Sequence, residues 1–170
     1  MEVEQVRINR KRKFDEDADL NTRLEELIKR IGEKSQESLE TNLERLVDIL
    51  DQEITTKKEF ILNSLVKNAI EQPEKMTIYS TLVGLLNVKM FSTGGEFLVL
   101  IMEKLGTLID DAEWRSVQLL IRFLADLINC NVVLGASLLG LFDTFIATAA
   151  QPGVKPVSSN IFHEFLRDTQ

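Results

Sequence analysis

Apolar residues recur along this chain at helical spacing and almost nowhere alternate. Leu20, Leu24, Leu27, Ile28 and Ile31 form a first stripe, and Gly32 supplies a stop. Leu39, Leu43, Leu46, Val47 and Leu50 form a second, with Ser35 or Ser38 placed to cap it. Phe60, Ile61, Leu65 and Ala69 put a third helix over residues 57–70. A fourth runs over 73–87 and a fifth over 96–109, the latter with Phe97, Ile101, Leu105 and Leu108 in register. Val117, Leu120, Ile121, Leu124, Leu127 and Ile128 mark a sixth over 112–129, with Asp111 in capping position. A seventh follows Asn131 and carries Leu134, Leu138, Leu141, Phe142 and Phe145. The stretch KMFSTGG (89–95) is the clearest break, and residues 151–156 form a Pro/Gly loop before a short amphipathic segment over 160–167. Short connections between such helices imply antiparallel neighbours.

The fourth segment, QPEKMTIYSTLVGLLN, refines this picture. Pro73 suits a first helical turn, where its missing N–H is unpaired anyway, and Glu74 faces the positive end of the helix dipole. Met76, Tyr79, Leu82, Val83 and Leu86 make one apolar stripe. Thr77, Thr81 and Gly84 make a second face of small residues that admits another helix. Apolar character on two faces places a helix inside a stack. The expected fold is therefore all-α, an antiparallel helical-repeat solenoid of about seven helices over residues 20–150.

Composition agrees: the 170 residues include only three prolines and eight glycines, and 44% are hydrophobic. Charge adds an asymmetry. Residues 1–13 hold five basic and two acidic side chains, whereas the remainder holds 15 basic and 25 acidic. A body that acidic is a poor match for phosphate backbones, so contact with nucleic acid is expected to run through a basic partner. Residues 1–19 read as a charged tail without stable structure. Within it Arg10, Lys11, Arg12 and Lys13 form a basic run of the nuclear-import type, free to extend into an acidic receptor groove. The lone Cys130 excludes an internal disulfide and fits a reducing compartment. The longest uncharged apolar run, over 132–142, is too short to span a bilayer.

Four strings in order resemble the N-terminal region of the nuclear cap-binding complex large subunit. They are GEKSQESLETNLERL (32–46), PEKMTIYSTLVGLLN (73–87), GGEF (94–97) and RFLADLINCNVV (122–133). The resemblance covers residues 24–145. It implies a HEAT/ARM-like domain of the type named after the middle domain of initiation factor 4 gamma. It also implies a scaffold in the nucleus, shuttling to the cytoplasm. That scaffold supports a small RNA-recognition-motif subunit that holds the cap, touches capped RNA indirectly, and links it to processing, export, decay and translation. The resemblance also favours the import role of Arg10 to Lys13, because the family carries basic import elements before its first helix. The family's large subunit is several times longer, and the segment over 151–170 does not follow its pattern. The chain is thus expected to hold part of the first domain and to expose an unpaired apolar face. A same-fold adaptor in translation initiation or mRNA decay, without cap-complex assembly, is the alternative. A direct RNA binder is a third reading, which the acidic body opposes.

Candidate chemistry is sparse. Cys130 and His163 are each single and distant in sequence, short of the roughly four ligands of a zinc site. No Ser/His/Asp or Cys/His arrangement has supporting spacing, and no enzyme, metal or cofactor is expected. Asp110 and Asp111 read as a turn, Cys130 as a small buried apolar residue, and Gly94 and Gly95 as a flexible turn. GGEF lacks an acidic residue and the strands of the diguanylate cyclase motif. Arg122 and Asp126 are spaced for a surface ion pair, while Tyr79 and Trp114 are expected to pack in the core rather than stack on bases.

Overall fold

A computed structural model describes residues 17–90 and 93–149. Their regular elements are all helical: α1 (17–30), α2 (Leu39–Glu71), a 3-10 turn (Pro73–Lys75), α3 (Met76–Lys89), α4 (Thr93–Asp110), α5 (Trp114–Asn129) and α6 (Gly135–Ala149). The all-α expectation holds, with six helices among the described residues instead of about seven. Two compact units divide the chain, one ending at Ser64 and one starting at Leu65.

In the first unit α1 buries Leu24, Ile28 and Ile31, and α2 buries Leu43, Leu46, Val47, Leu50 and Ile54. Spacings of three and four keep each set on one helix face. Gly32 ends α1 at a φ of 80°, in the left-handed region that a Cβ disfavours. Ser38 is the cap of α2: its Oγ accepts the Thr41 N–H at 3.2 Å. Ser35 instead orders the connection, its Oγ accepting from the Glu37 N–H (3.2 Å) and from Asn42 Nδ2 (2.7 Å). At the opposite end Lys57 Nζ lies 3.0 Å from Asp17 Oδ1. The start of α1 thus meets Lys57 while its end shares a groove with Asn42 and Leu46, so the pair is antiparallel.

The second and third predicted helices are one. Nothing between Leu50 and Phe60 is Gly or Pro, so no residue stops the helix. What remains of the boundary is a kink at Lys57 (φ −123°, ψ 21°). Thr56 precedes it, and its hydroxyl donates to the Glu53 carbonyl at 3.2 Å, a side-chain bond that competes with the helical ladder.

In the second unit α3 packs on α4 and α5, and α5 packs on α4 and α6. Pro73 opens the 3-10 turn as its sequence position suggests. α3 buries Met76, Tyr79, Leu82, Val83 and Leu86, the expected stripe. Its small-residue face is only partly a contact. Thr77 and Thr81 are exposed, with the Thr81 hydroxyl donating to the Thr77 carbonyl at 2.7 Å. Gly84 makes the close approach: a Cβ there lies 3.0 Å from Cys130 Cβ and 3.4 Å from the Cys130 carbonyl oxygen. Phe97 of α4 meets Phe123 of α5 edge-on, with ring centroids 6.0 Å apart and planes at 86°. Such a pair adds about 0.5–1.5 kcal/mol beyond its area burial.

Two helix ends close by the same device. Ala112 (φ 58°) donates its N–H to the Ile109 carbonyl and Glu113 to Leu108. Asn131 (φ 56°) donates to Ile128 and Val132 to Leu127. Both patterns are Schellman motifs, which satisfy the orphan carbonyls of a helix end. Asp111 therefore belongs to the end of α4 and does not cap α5, whose cap residue Glu113 makes no side-chain cap bond.

Candidate interaction surfaces

Among the described residues, those singled out for chemistry do not converge. Arg10, Lys11, Arg12, Lys13 and His163 lie outside the described residues, as does the segment over 160–167. Tyr79 is fully buried, as expected. Trp114 is not: it is 51% exposed, because it opens α5 one turn before the buried face starts at Val117. Cys130, a free thiol, is half-buried rather than enclosed. Arg122 and Asp126 do not pair. Arg122 is exposed, while Asp126 Oδ2 is buried without a hydrogen-bond partner. Among the described residues no group of three or more His, Cys, Asp or Glu is placed to hold a metal ion. No described helix is long and apolar enough to cross a membrane.

Gly94 and Gly95 form no flexible turn. They sit in the first turn of α4, and Gly94 is buried there. Its N–H, an orphan donor at a helix start, is satisfied by Asn87 Oδ1 from α3 at 2.9 Å. A Cβ on Gly94 lies 2.5 Å from that oxygen, 3.0 Å from Asn87 Cγ and 3.2 Å from Val132 Cγ1. The predicted break at 89–95 is correspondingly shorter, since helix resumes at Thr93.

Two surfaces carry exposed apolar side chains. On α6, Leu139, Phe142 and Ile146 follow spacings of three and four and all face solvent, while Leu141 is buried. Of the predicted stripe, Leu134 and Phe142 are thus outside the core, and the Phe145 side chain lies outside the described residues. The second surface is a groove of about 300 Å³ in the first unit, where the end of α1 meets the start of α2. Leu27 and Ile49 stand exposed at its walls over buried Ile31 and Leu46, with Arg30 and Arg45 at its rim. Arg30 Nε lies 3.3 Å from Glu33 Oε2, and Arg45 Nη1 pairs with Glu37. Periodicity counted Leu27 as core and passed over the groove. The available signal was Ile49, an apolar residue beside the Leu46–Val47–Leu50 stripe that packing does not require.

Comparison with known proteins identifies the architecture. A family model of the MIF4G domain matches residues 22–161. The chain is 40% identical over 151 residues to nuclear cap-binding protein subunit 1 of Anopheles gambiae. It is 39% identical over 152 residues to nuclear cap-binding protein subunit 1 of Xenopus tropicalis. Each alignment covers 89% of this chain and 19% of the relative, so the chain spans about a fifth of the length of these curated relatives.

Proposed function

The chain belongs to the MIF4G-domain family, and from that premise we propose that it is a non-enzymatic helical-repeat scaffold of a nuclear cap-binding complex. The observation that carries this reading is the 39–40% identity to nuclear cap-binding protein subunit 1, sustained over 89% of the chain. The physical character of the molecule supports it. The helices bury one apolar face against their neighbours and leave Leu27, Ile49, Leu139, Phe142 and Ile146 exposed, surface available for contact with other proteins. The acidic body disfavours direct grip on RNA, so capped RNA is reached through a small cap-binding subunit that carries the RNA-recognition motif. Arg10, Lys11, Arg12 and Lys13 are the proposed import signal, read by an import receptor in the nucleus-bound state.

The decisive measurement is affinity purification of the tagged chain from nuclear and cytoplasmic fractions after RNase treatment. A full-length relative serves as the positive control. Recovery of the small cap-binding subunit and nuclear RNA-processing proteins is the expected result. Recovery of translation initiation or decay factors without the small subunit overturns the cap-complex reading in favour of the same-fold adaptor. For import, the chain is fused to a carrier too large to diffuse through the nuclear pore. Replacing Arg10, Lys11, Arg12 and Lys13 by alanine is expected to abolish its nuclear accumulation, and unchanged accumulation removes that assignment.

A further inference from the structure

We propose that the α1–α2 groove binds a short acidic segment of a partner protein, seating one apolar side chain between Leu27 and Ile49 and its flanking carboxylates on Arg30, Lys34 and Arg45. The site has an apolar anchor pocket. Ile31 and Leu46 are buried beneath it, while Leu27 and Ile49 remain 43% and 40% exposed at its walls. About 300 Å³ of space is at the lower end of ligand pockets, room for a side chain or two rather than a folded domain.

Charge selects the occupant. Residues 17–64 carry seven basic and 12 acidic side chains, a net of −5. Three of those seven cations, Arg30, Lys34 and Arg45, line this one groove, against Glu33 as the single acid in its lining. Lys34 forms no ion pair among the described residues. Arg30 and Arg45 each hold one intrachain carboxylate, but a guanidinium carries five N–H donors, so each retains donors for a second acceptor. The groove is a cationic, apolar notch on an otherwise acidic unit. That combination suits a peptide with an apolar side chain between aspartates or glutamates. It does not suit RNA, whose phosphates would face the surrounding acids and whose backbone offers nothing to Leu27 and Ile49. The corner is also ordered in advance. Gly32 and the Ser35 bonds to Glu37 and Asn42 hold the connection in place, which lowers the ordering cost of binding.

The inference does not depend on cap-complex membership and is tested with the purified full chain. A phage-displayed library of random 12-residue peptides is selected on it, and winners are titrated by fluorescence polarisation. Selected peptides are expected to combine an apolar side chain with two or more carboxylates and to weaken as salt rises. Ile49→Ser and, separately, the Lys34→Glu/Arg45→Glu pair are expected to weaken them by about tenfold or more. Circular dichroism confirms that each variant is folded, and the exposed Ile49→Ser change keeps the test valid if the charge pair disturbs the corner. The proposal is overturned by three results: failure to enrich any peptide, enrichment of basic or uncharged peptides, or acidic peptides whose affinity neither variant alters. Binding of a labelled uncapped RNA oligonucleotide that both variants abolish, without peptide enrichment, also overturns it.

Discussion

The contact between Gly94 and Asn87 gives the sharpest test of how the second unit is built. A flexible turn glycine and a buried helix-start glycine respond oppositely to alanine. Alanine normally stabilises a helical position by up to about 1 kcal/mol relative to glycine. At Gly94 the new methyl lies 2.5 Å from Asn87 Oδ1, the atom that accepts the Gly94 N–H. Asn87 must rotate away, leaving a part-buried N–H without its acceptor, at a cost of about 1–3 kcal/mol. The net expectation for Gly94→Ala is a loss of roughly 1–2 kcal/mol. Asn87→Ala alone forfeits the same hydrogen bond and is expected to cost a similar amount. In that background the nearest atom left to the new methyl is Val132 Cγ1 at 3.2 Å, so the second substitution should be close to neutral. The coupling between the two sites is then about 1–2 kcal/mol. Urea unfolding followed by circular dichroism at the helical band measures all four corners of the cycle. Gly95→Ala is the internal control: a Cβ there meets nothing within 4 Å, and a gain of about 0.4–1 kcal/mol is expected. Equal penalties for Gly94→Ala in both backgrounds, or a stabilising Gly94→Ala in the unaltered chain, refute the reasoning.

The remaining expectations use the same unfolding assay. Ala112→Gly should stabilise by about 0.5–1 kcal/mol, the reverse of the usual order, because Ala112 holds a left-handed φ of 58° in a Schellman turn. Gly84→Ala should forgo the usual gain of about 1 kcal/mol for alanine in a helix and destabilise by up to about 2 kcal/mol, since its Cβ presses on Cys130 Cβ at 3.0 Å with the carbonyl close behind. Phe123→Ala should cost about 3–5 kcal/mol through a cavity and the lost edge-on contact with Phe97, read as a lower urea midpoint. Trp114→Ser should cost about 1–2 kcal/mol, less than Phe123→Ala because half of the ring is already in solvent, and should remove the tryptophan fluorescence.

Much of the fold was legible because burial and helical period are the same signal. Leu24, Ile28, Leu43, Leu46, Leu50, Tyr79, Leu82 and Leu86 were all placed by spacing, and all are buried. Local chemistry was legible too: Pro73 at a first turn, Gly32 at a stop, and a serine cap, Ser35 or Ser38, of which Ser38 makes the bond. The interaction surface was less so. Leu27 fits its stripe and still stands exposed, because spacing names a face but not which partner helix reaches its edge. Arg30, Lys34 and Arg45 are ordinary surface cations along the chain and become a cluster only where α1 turns back along α2.

The amino-acid order by itself determined that the described chain is helical, where most apolar stripes run, and that the body is acidic. These follow from short-range causes: propensity, period and the count of charges. Tertiary structure decided the rest. It turned an apparent glycine hinge into a buried helix start held by Asn87. It also ended two helices on Ala112 and Asn131 instead of glycine, and left Trp114 outside the core. Each outcome depends on what lies several residues or a whole helix away in sequence. A glycine needed for close approach and one needed for freedom are the same letter until the neighbour that crowds it is in place.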